Sequence, residues 1–306
     1  MDRFHEMQVF LAVAEEEGFA AAARRLKTSP PSVTRAIAAM EQRIGTQLLA
    51  RTTRSLHLTE AGQRYLEDCR RILAELNEAE EAAAGSYSIP SGQLTVTAPV
   101  LFGELYVAPL LGTYLDRFPL VNINALMVDR VVNMTDEGVD VAVRIGHLQE
   151  PGQQAIQVGE VRRVVCASPG YLDQHGRPQR PEQLREAKIA TSSASQLISE
   201  WQFVDGDRLL TVPIAPRLVV TANNAAINLA RIGWGLTRVL SYQVAAAVAA
   251  GELEIVLDAF EPAPLPIQVV FQKGARVPAK VQTFVDFLTQ RFAQDRGLNP
   301  APQRPS

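Results

Sequence analysis

The chain has 306 residues, enough for two or three domains with their own cores. Apolar residues make up 47% and charged residues 21%, the proportions of a water-soluble globular protein, and the longest apolar run, 244–250, is far too short to span a bilayer. A net charge of −3 would argue against nucleic acid if it were evenly spread, but it is not. Between Phe19 and Leu58 stand seven basic residues (Arg24, Arg25, Lys27, Arg35, Arg43, Arg51, Arg54) against Glu41 alone, a local +6 that leaves −9 for the rest. A basic module on an acidic body concentrates phosphate attraction at one end. The two cysteines, Cys69 and Cys166, are far apart and form no CxxC or metal-ligand spacing, so a reduced cytoplasmic protein is expected. The opening MDRFHEMQVF carries charges where a secretory signal needs an apolar core.

In chain order, Phe4, Met7, Phe10, Leu11 and Ala14 share one side of a helix over 2–17, which Gly18 is expected to end. A short helix over 19–26 groups Phe19, Ala22, Ala23 and Leu26, and Lys27-Thr28 make a turn. Ser29 suits an N-cap, and Pro30 suits the first helical position, where the missing amide hydrogen would be orphaned anyway. In the next helix Val33, Ile37, Met40 and Ile44 fall on one narrow stripe. The opposite side carries Pro31, Arg35, Ala38 and Gln42, flanked by Ser32, Thr34 and Ala39, and Gly45 stops the helix. Residues 47–62 read as two short strands with a basic tip, Arg51-Thr52-Thr53-Arg54.

A long helix then runs over 59–84. Ala61, Tyr65, Cys69, Ile72, Leu76, Ala79 and Ala83 recur at near-heptad spacing, a seam that calls for a partner helix. A second copy of the chain is the favoured partner, with the body of the protein as the alternative. A polar linker, 85–92, follows. Strands are then expected at 94–98, 121–128, 139–145, 163–168, 217–221 and 267–271, with helices at 101–118, 224–232 and 279–292. Such alternation indicates an α/β body with largely parallel sheets.

This chain resembles the LysR-type transcriptional regulators over essentially its whole length. The residues that carry the resemblance include Phe10, Ala14, Phe19, Ala22, Ala23, Leu26, Ser29, Pro31, Val33, Thr34-Arg35, Ile37, Glu41, Gly45, Leu48-Leu49, Arg51, Thr59-Glu60 and Ala61-Gly62. The segments Val141-Ala142-Val143-Arg144-Ile145-Gly146 and Val164-Val165-Cys166-Ala167-Ser168-Pro169 add to it. The resemblance implies an α plus α/β protein: a winged helix-turn-helix at 1–58, a dimerising linker helix and hinge at 59–91, and an effector-binding domain at 92–293 that is similar to periplasmic binding proteins. Its lobe one would be 92–162 with 267–293, its lobe two 163–266, and 294–306 a loose tail. The implied partners are double-stranded DNA, a small organic effector and further copies of the chain, as homodimer or homotetramer, with no membrane.

Arg35 leads the candidate DNA-binding residues, because arginine is the usual partner of guanine O6 and N7 and this one faces away from the buried stripe. Pro30, Pro31, Ser32 and Thr34 flank it. Thr28 and Ser29 suit capping and phosphate contact, and Arg51 and Arg54 suit the backbone or a narrow minor groove. Arg24 and Arg25 also read as solvated. Relatives often carry Gln where Pro30 stands, so direct polar readout is altered there.

In the body, Val100, Leu101 and Phe102 open a helix after the first strand, where free amides could meet an anion. Relatives often have Ser or Thr in place of Leu101, and its absence points to a more apolar ligand. Asn223 opens a second such helix, and Arg144 ends a strand near the expected cleft. Each also has a purely structural reading, as cap or internal ion pair. Trp201, Trp234 and Phe203 read as core.

Catalysis finds no support: His5, His57, His147 and His175 are scattered, and GxSxG, GxGxxG, GxxxxGK and HExxH are absent. No metal or cofactor is expected. Two rival readings remain, a small-molecule binding protein or enzyme whose N-terminal helices only oligomerise, and an architectural DNA binder without an effector.

Overall fold

The structure, a computed structural model, describes residues 2–51, 56–83, 89–147, 152–193, 199–273, 277–295 and 297–299. The chain divides into two units, Met1–Ser88 and Ile89–Ser306.

The first unit begins with α1 (Arg3–Glu15), capped by the Asp2 side chain, followed by α2 (Phe19–Arg25) and α3 (Pro30–Ile44). Gly18 does not end α1 as expected. Glu17 takes the left-handed conformation and Gly18, with extended backbone, precedes α2. The side chain of Ser29 caps α3, and Gly45 ends it at φ +79°. Strands β1 (Leu49–Arg51) and β2 (Leu56–Leu58) pair antiparallel as a wing, and α4 (Glu60–Ala83) follows. Thr59 Oγ1 accepts from the Gly62 amide at 2.9 Å and so caps α4. Gly62 could not carry a Cβ, which would stand 2.0 Å from the Leu48 carbonyl oxygen.

One core joins these elements: Val9, Phe10 and Val13 of α1, Ala22 and Ala23 of α2, Val33, Ile37 and Met40 of α3, Leu48, and Leu66 and Cys69 of α4. The ring centroids of Phe10 and Tyr65 lie 5.7 Å apart. The opening turns of α4 find their partner helix within the same chain, in α1, so Tyr65 and Cys69 of the seam belong to that core, while Ile72 and Leu76 further along are half-buried. The side chains of Ala79 and Ala83 lie outside the described residues.

The second unit runs β3 (Gly92–Ala98), α5 (Val100–Phe102), a π-helical turn Gly103–Val107, α6 (Ala108–Arg117), β4 (Val121–Met127), β5 (Val141–Ile145), β6 (Gln153–Val161), β7 (Arg163–Ala167), α7 (Pro169–His175), β8 (Ala190–Ser192), β9 (Glu200–Asp205), β10 (Arg208–Pro213), β11 (Leu218–Val220), α8 (Asn223–Arg231), β12 (Thr237–Leu240), α9 (Ser241–Ala249), β13 (Glu254–Val256), β14 (Leu265–Gln272) and α10 (Ala279–Ala293). Lobe one is the five-stranded sheet β4-β3-β5-β14-β6, with α5, α6 and α10 packed on it. Lobe two holds the sheet β12-β7-β13, the pair β11-β8 and the hairpin β9-β10.

The sheets are more mixed than expected. In lobe one β3 runs parallel to β4 and β5, whereas β14 runs antiparallel to β5 and β6. In lobe two β7 is antiparallel to both its neighbours, while β8 and β11 pair parallel. The chain crosses between lobes after β6 and again before β14. Arg162 at the first crossing binds Glu261 at the second at 2.9 and 3.0 Å.

The tail is not loose at its start. Leu298 is fully buried in the lobe-one core, and its carbonyl accepts from the Glu160 amide at 2.9 Å. An apolar side chain at the mouth of a sheet edge docks there even in a proline-rich context. Trp201 and Phe203 are buried in the core of lobe two, as read from the sequence.

Candidate nucleic-acid interface and effector cleft

Helix α3 sorts its residues as a groove-inserted helix must. Val33, Ile37 and Met40 are 0% exposed. Burying three such side chains contributes on the order of 1.5–3 kcal/mol each and fixes the rotation of the helix. Pro30, Pro31, Arg35, Ala38 and Gln42 are consequently exposed on the other side. Ser29 Oγ accepts from the Ser32 amide at 3.3 Å and lies 2.8 Å from Ser32 Oγ. Thr34 Oγ1 donates to the Pro30 carbonyl at 3.1 Å. Thr28 and Ser29 are exposed at the start of the helix. The Arg35 guanidinium reaches Ser32 Oγ at 3.5 Å, at the outer limit of a hydrogen bond, and has no acidic partner among the described residues.

The basic surplus is partly spent inside the unit. Arg25 pairs with Glu15 at 2.7 Å and Glu16 at 3.4 Å, and Arg43 pairs with the buried Glu6 at 2.8 Å. Glu41, the one acid of the basic stretch, turns toward the wing: its Oε1 accepts from the amides of Leu48 at 2.7 Å and Leu49 at 3.0 Å. It organises the strand that leads to the wing tip, a role the composition did not reveal. Arg51 lies in β1, with its side chain outside the described residues, as are Thr52, Thr53 and Arg54 altogether.

In the second unit a cavity of about 550 Å³ opens between the lobes. One wall comes from Val100, Leu101 and Glu104, and from Met127, the last residue of β4, to Arg130. The other comes from Thr221 to Asn224 at the start of α8. The position follows from topology, because parallel strands β3 and β4 end at the same rim and the chain turns there into α5. Of the residues expected at a cleft, Val100, Leu101 and Asn223 line it.

Phe102 and Arg144 do not line it. Phe102 is buried in the lobe-one core, stacked on Tyr106 at 4.8 Å and edge-on to Tyr242 at 5.3 Å. One residue of helical rotation beyond Leu101 turns it from the rim to the sheet. Arg144 is buried in β5 and donates to the Val132 carbonyl at 2.8 Å, so it braces the loop before β5. The residue that sequence reading missed is Asp129. Its Oδ1 accepts from the Val100 amide at 3.0 Å and its Oδ2 from the Asn223 side-chain amide at 3.2 Å. It links the lobes and fills the α5 amide end that was expected to be free. Only the tertiary pairing of β3 with β4 brings it there, so no local pattern announces it.

Both cysteines are free and buried. Burial pushes the Cys69 thiol up to about 11 and the Cys166 thiol up to about 12. Among the described residues no group of His, Cys, Asp and Glu could hold a metal ion, and no helix is long and apolar enough to cross a membrane.

Comparison with known proteins agrees with this division. The family described as "Bacterial regulatory helix-turn-helix protein, lysR family" matches residues 4–63, and "LysR substrate binding domain" matches residues 88–293. An HTH-type transcriptional regulator of Xanthomonas campestris pv. campestris is 33% identical over 97% of this chain and 88% of its own length. The HTH-type transcriptional activator AaeR of Escherichia coli is 30% identical over 96% of this chain and 95% of its own. The structure of CrgA, a LysR-type transcriptional regulator from Neisseria meningitidis, superposes with a TM-score of 0.61 at 28% identity, covering 95% of this chain and 99% of that one.

Proposed function

We propose a regulatory cycle from one premise: this chain belongs to the LysR family of bacterial transcriptional regulators, with a DNA-binding helix-turn-helix followed by an effector-binding domain. In that cycle α3 enters a major groove, and Arg35 reads a base edge with Pro30, Pro31, Ser32 and Thr34 beside it. Thr28 and Ser29 approach phosphates, and Arg51 and Arg54 of the wing reach the backbone or the minor groove. Two copies place their α3 helices in successive grooves of a dyad-like site, as a dimer or a dimer of dimers in the cytoplasm.

A small organic molecule enters the cleft between the lobes against Val100, Leu101 and Asn223. It changes the DNA arrangement only in proportion to its differential affinity for the two lobe geometries. No catalytic step is assigned. The observation that carries this reading is α3 itself, with Val33, Ile37 and Met40 of its apolar stripe fully buried, Ile44 half-buried at its end, and its guanidinium exposed on the reverse.

Footprinting of the full chain on the DNA flanking its own gene, with and without candidate metabolites, tests it. A discrete protected site whose extent changes with one metabolite supports the cycle. Salt-independent binding, or uniform protection of any sequence, contradicts it.

A further inference from the structure

We propose that Arg163 and Arg238 form a second ligand site on lobe two, apart from the interlobe cleft, which takes a doubly charged oxyanion of the phosphate type. The two arginines come from neighbouring strands. In the antiparallel pairing of β7 with β12, Arg163 lies opposite Leu240 and Val165 opposite Arg238. Residues two apart share a face, so the two guanidiniums stand on the same side of the sheet as diagonal neighbours. Trp201 and Phe203 of β9 flank Arg238, whose guanidinium carbon lies 4.8 Å from the Phe203 ring centre and 5.7 Å from that of Trp201. Its Nη2 donates to the Gln202 carbonyl at 2.7 Å, while its buried Nε has no hydrogen-bond partner among the described residues. Neither arginine has an ion-pair partner among those residues. Glu261, the acid whose charge reaches Arg238, is already bound through both oxygens by Arg162 Nη1 at 2.9 and 3.0 Å. Partial loss of water lowers both guanidiniums from their usual range, Arg238 to about 10, where the charge of Arg163 adds to the lowering and Glu261 opposes it. Ring stacking and the Gln202 bond account for the placement of Arg238. They do not account for a second cation beside it without an acid, since like charges side by side are destabilising. An oxyanion bridging the pair removes that repulsion and supplies the acceptor that the Arg238 guanidinium lacks, and paired guanidinium forks suit phosphate oxygens. A lone carboxylate would neutralise only one of the two charges. The site depends neither on the cleft nor on the DNA-binding reading.

Calorimetric titration of the full chain with inorganic phosphate, phenyl phosphate and acetate, at mildly alkaline pH and fixed ionic strength, tests this. Both phosphates should bind saturably. Arg163→Gln should weaken that binding by roughly tenfold or more, the loss of one charge-assisted hydrogen bond, with thermal stability unchanged because Arg163 is exposed. Arg185→Gln, which removes the same charge from an exposed position in the 3-10 turn Pro181–Glu186 of lobe two, should leave it as it was. Arg238→Gln should weaken it as well, and where that variant loses its fold by circular dichroism, Arg163→Gln decides. Tighter binding of the ester identifies a phosphorylated metabolite as the source of the anion, and equal or tighter binding of the free ion identifies phosphate itself. Absence of saturable phosphate binding, an Arg163→Gln isotherm matching that of the parent or of Arg185→Gln, or acetate binding as tightly as phosphate would overturn the proposal.

Discussion

Glu41 shows how a single side chain can be misjudged by charge counting. In a basic stretch it reads as a stray acid, yet it accepts from two consecutive backbone amides at the root of the wing. Glu41→Ala orphans both donors, a loss of about 1–3 kcal/mol, whereas Glu41→Gln retains an acceptor and should lose less. Urea unfolding of the two variants checks this, and equal stability of both with the parent would contradict it.

The thiols supply a second residue-scale test. Folded Cys69 and Cys166 titrate near 11 and 12, above the unfolded value of about 9. An acid whose folded pKa is raised favours the fold below its unfolded pKa, and that contribution is lost as pH rises through the window from 9 toward 12. Stability should therefore decline across that range, and iodoacetamide at neutral pH should label neither thiol until denaturant is added. Rapid labelling of the native chain would refute the burial.

At the scale of elements, legibility followed locality. The stripe of α3, the Ser29 cap and the Gly45 stop were readable because neighbouring residues alone determine them. The end of α1 was misread because Glu17, not the adjacent glycine, accepts the left-handed turn. The hairpin β9-β10, the strands β6, β8, β12 and β13, and α9 were not anticipated. They are short, or their burial is decided by strands distant in sequence.

The seam of α4 was visible as a stripe, but periodicity cannot tell which helix will cover it. The structure assigns its opening turns to α1. Leu66→Ala should therefore destabilise the N-terminal unit by about 2–5 kcal/mol independently of protein concentration. Sedimentation and unfolding measured together over a range of concentrations would expose a purely intermolecular role instead. The cleft was half legible. Val100, Leu101 and Asn223 sit at helix starts that sequence signals mark, while Asp129 reaches them only through the pairing of β3 with β4.

For the whole molecule, the acidic body and basic head define two units with distinct tasks, and the sheet topology of the second creates a cavity where parallel strands end. The regulatory claim depends on the first unit choosing one DNA sequence over another through the exposed face of α3. Its most direct test is the ratio of specific to non-specific DNA affinity for the parent and for Arg35→Ala, measured by fluorescence anisotropy at one fixed salt concentration. The ratio should fall by roughly ten- to a hundredfold, with thermal stability and oligomeric state unchanged, as expected for loss of about 1–3 kcal/mol of base discrimination. An unchanged ratio would show that Arg35 does not read bases and that α3 is not the recognition helix in the way described.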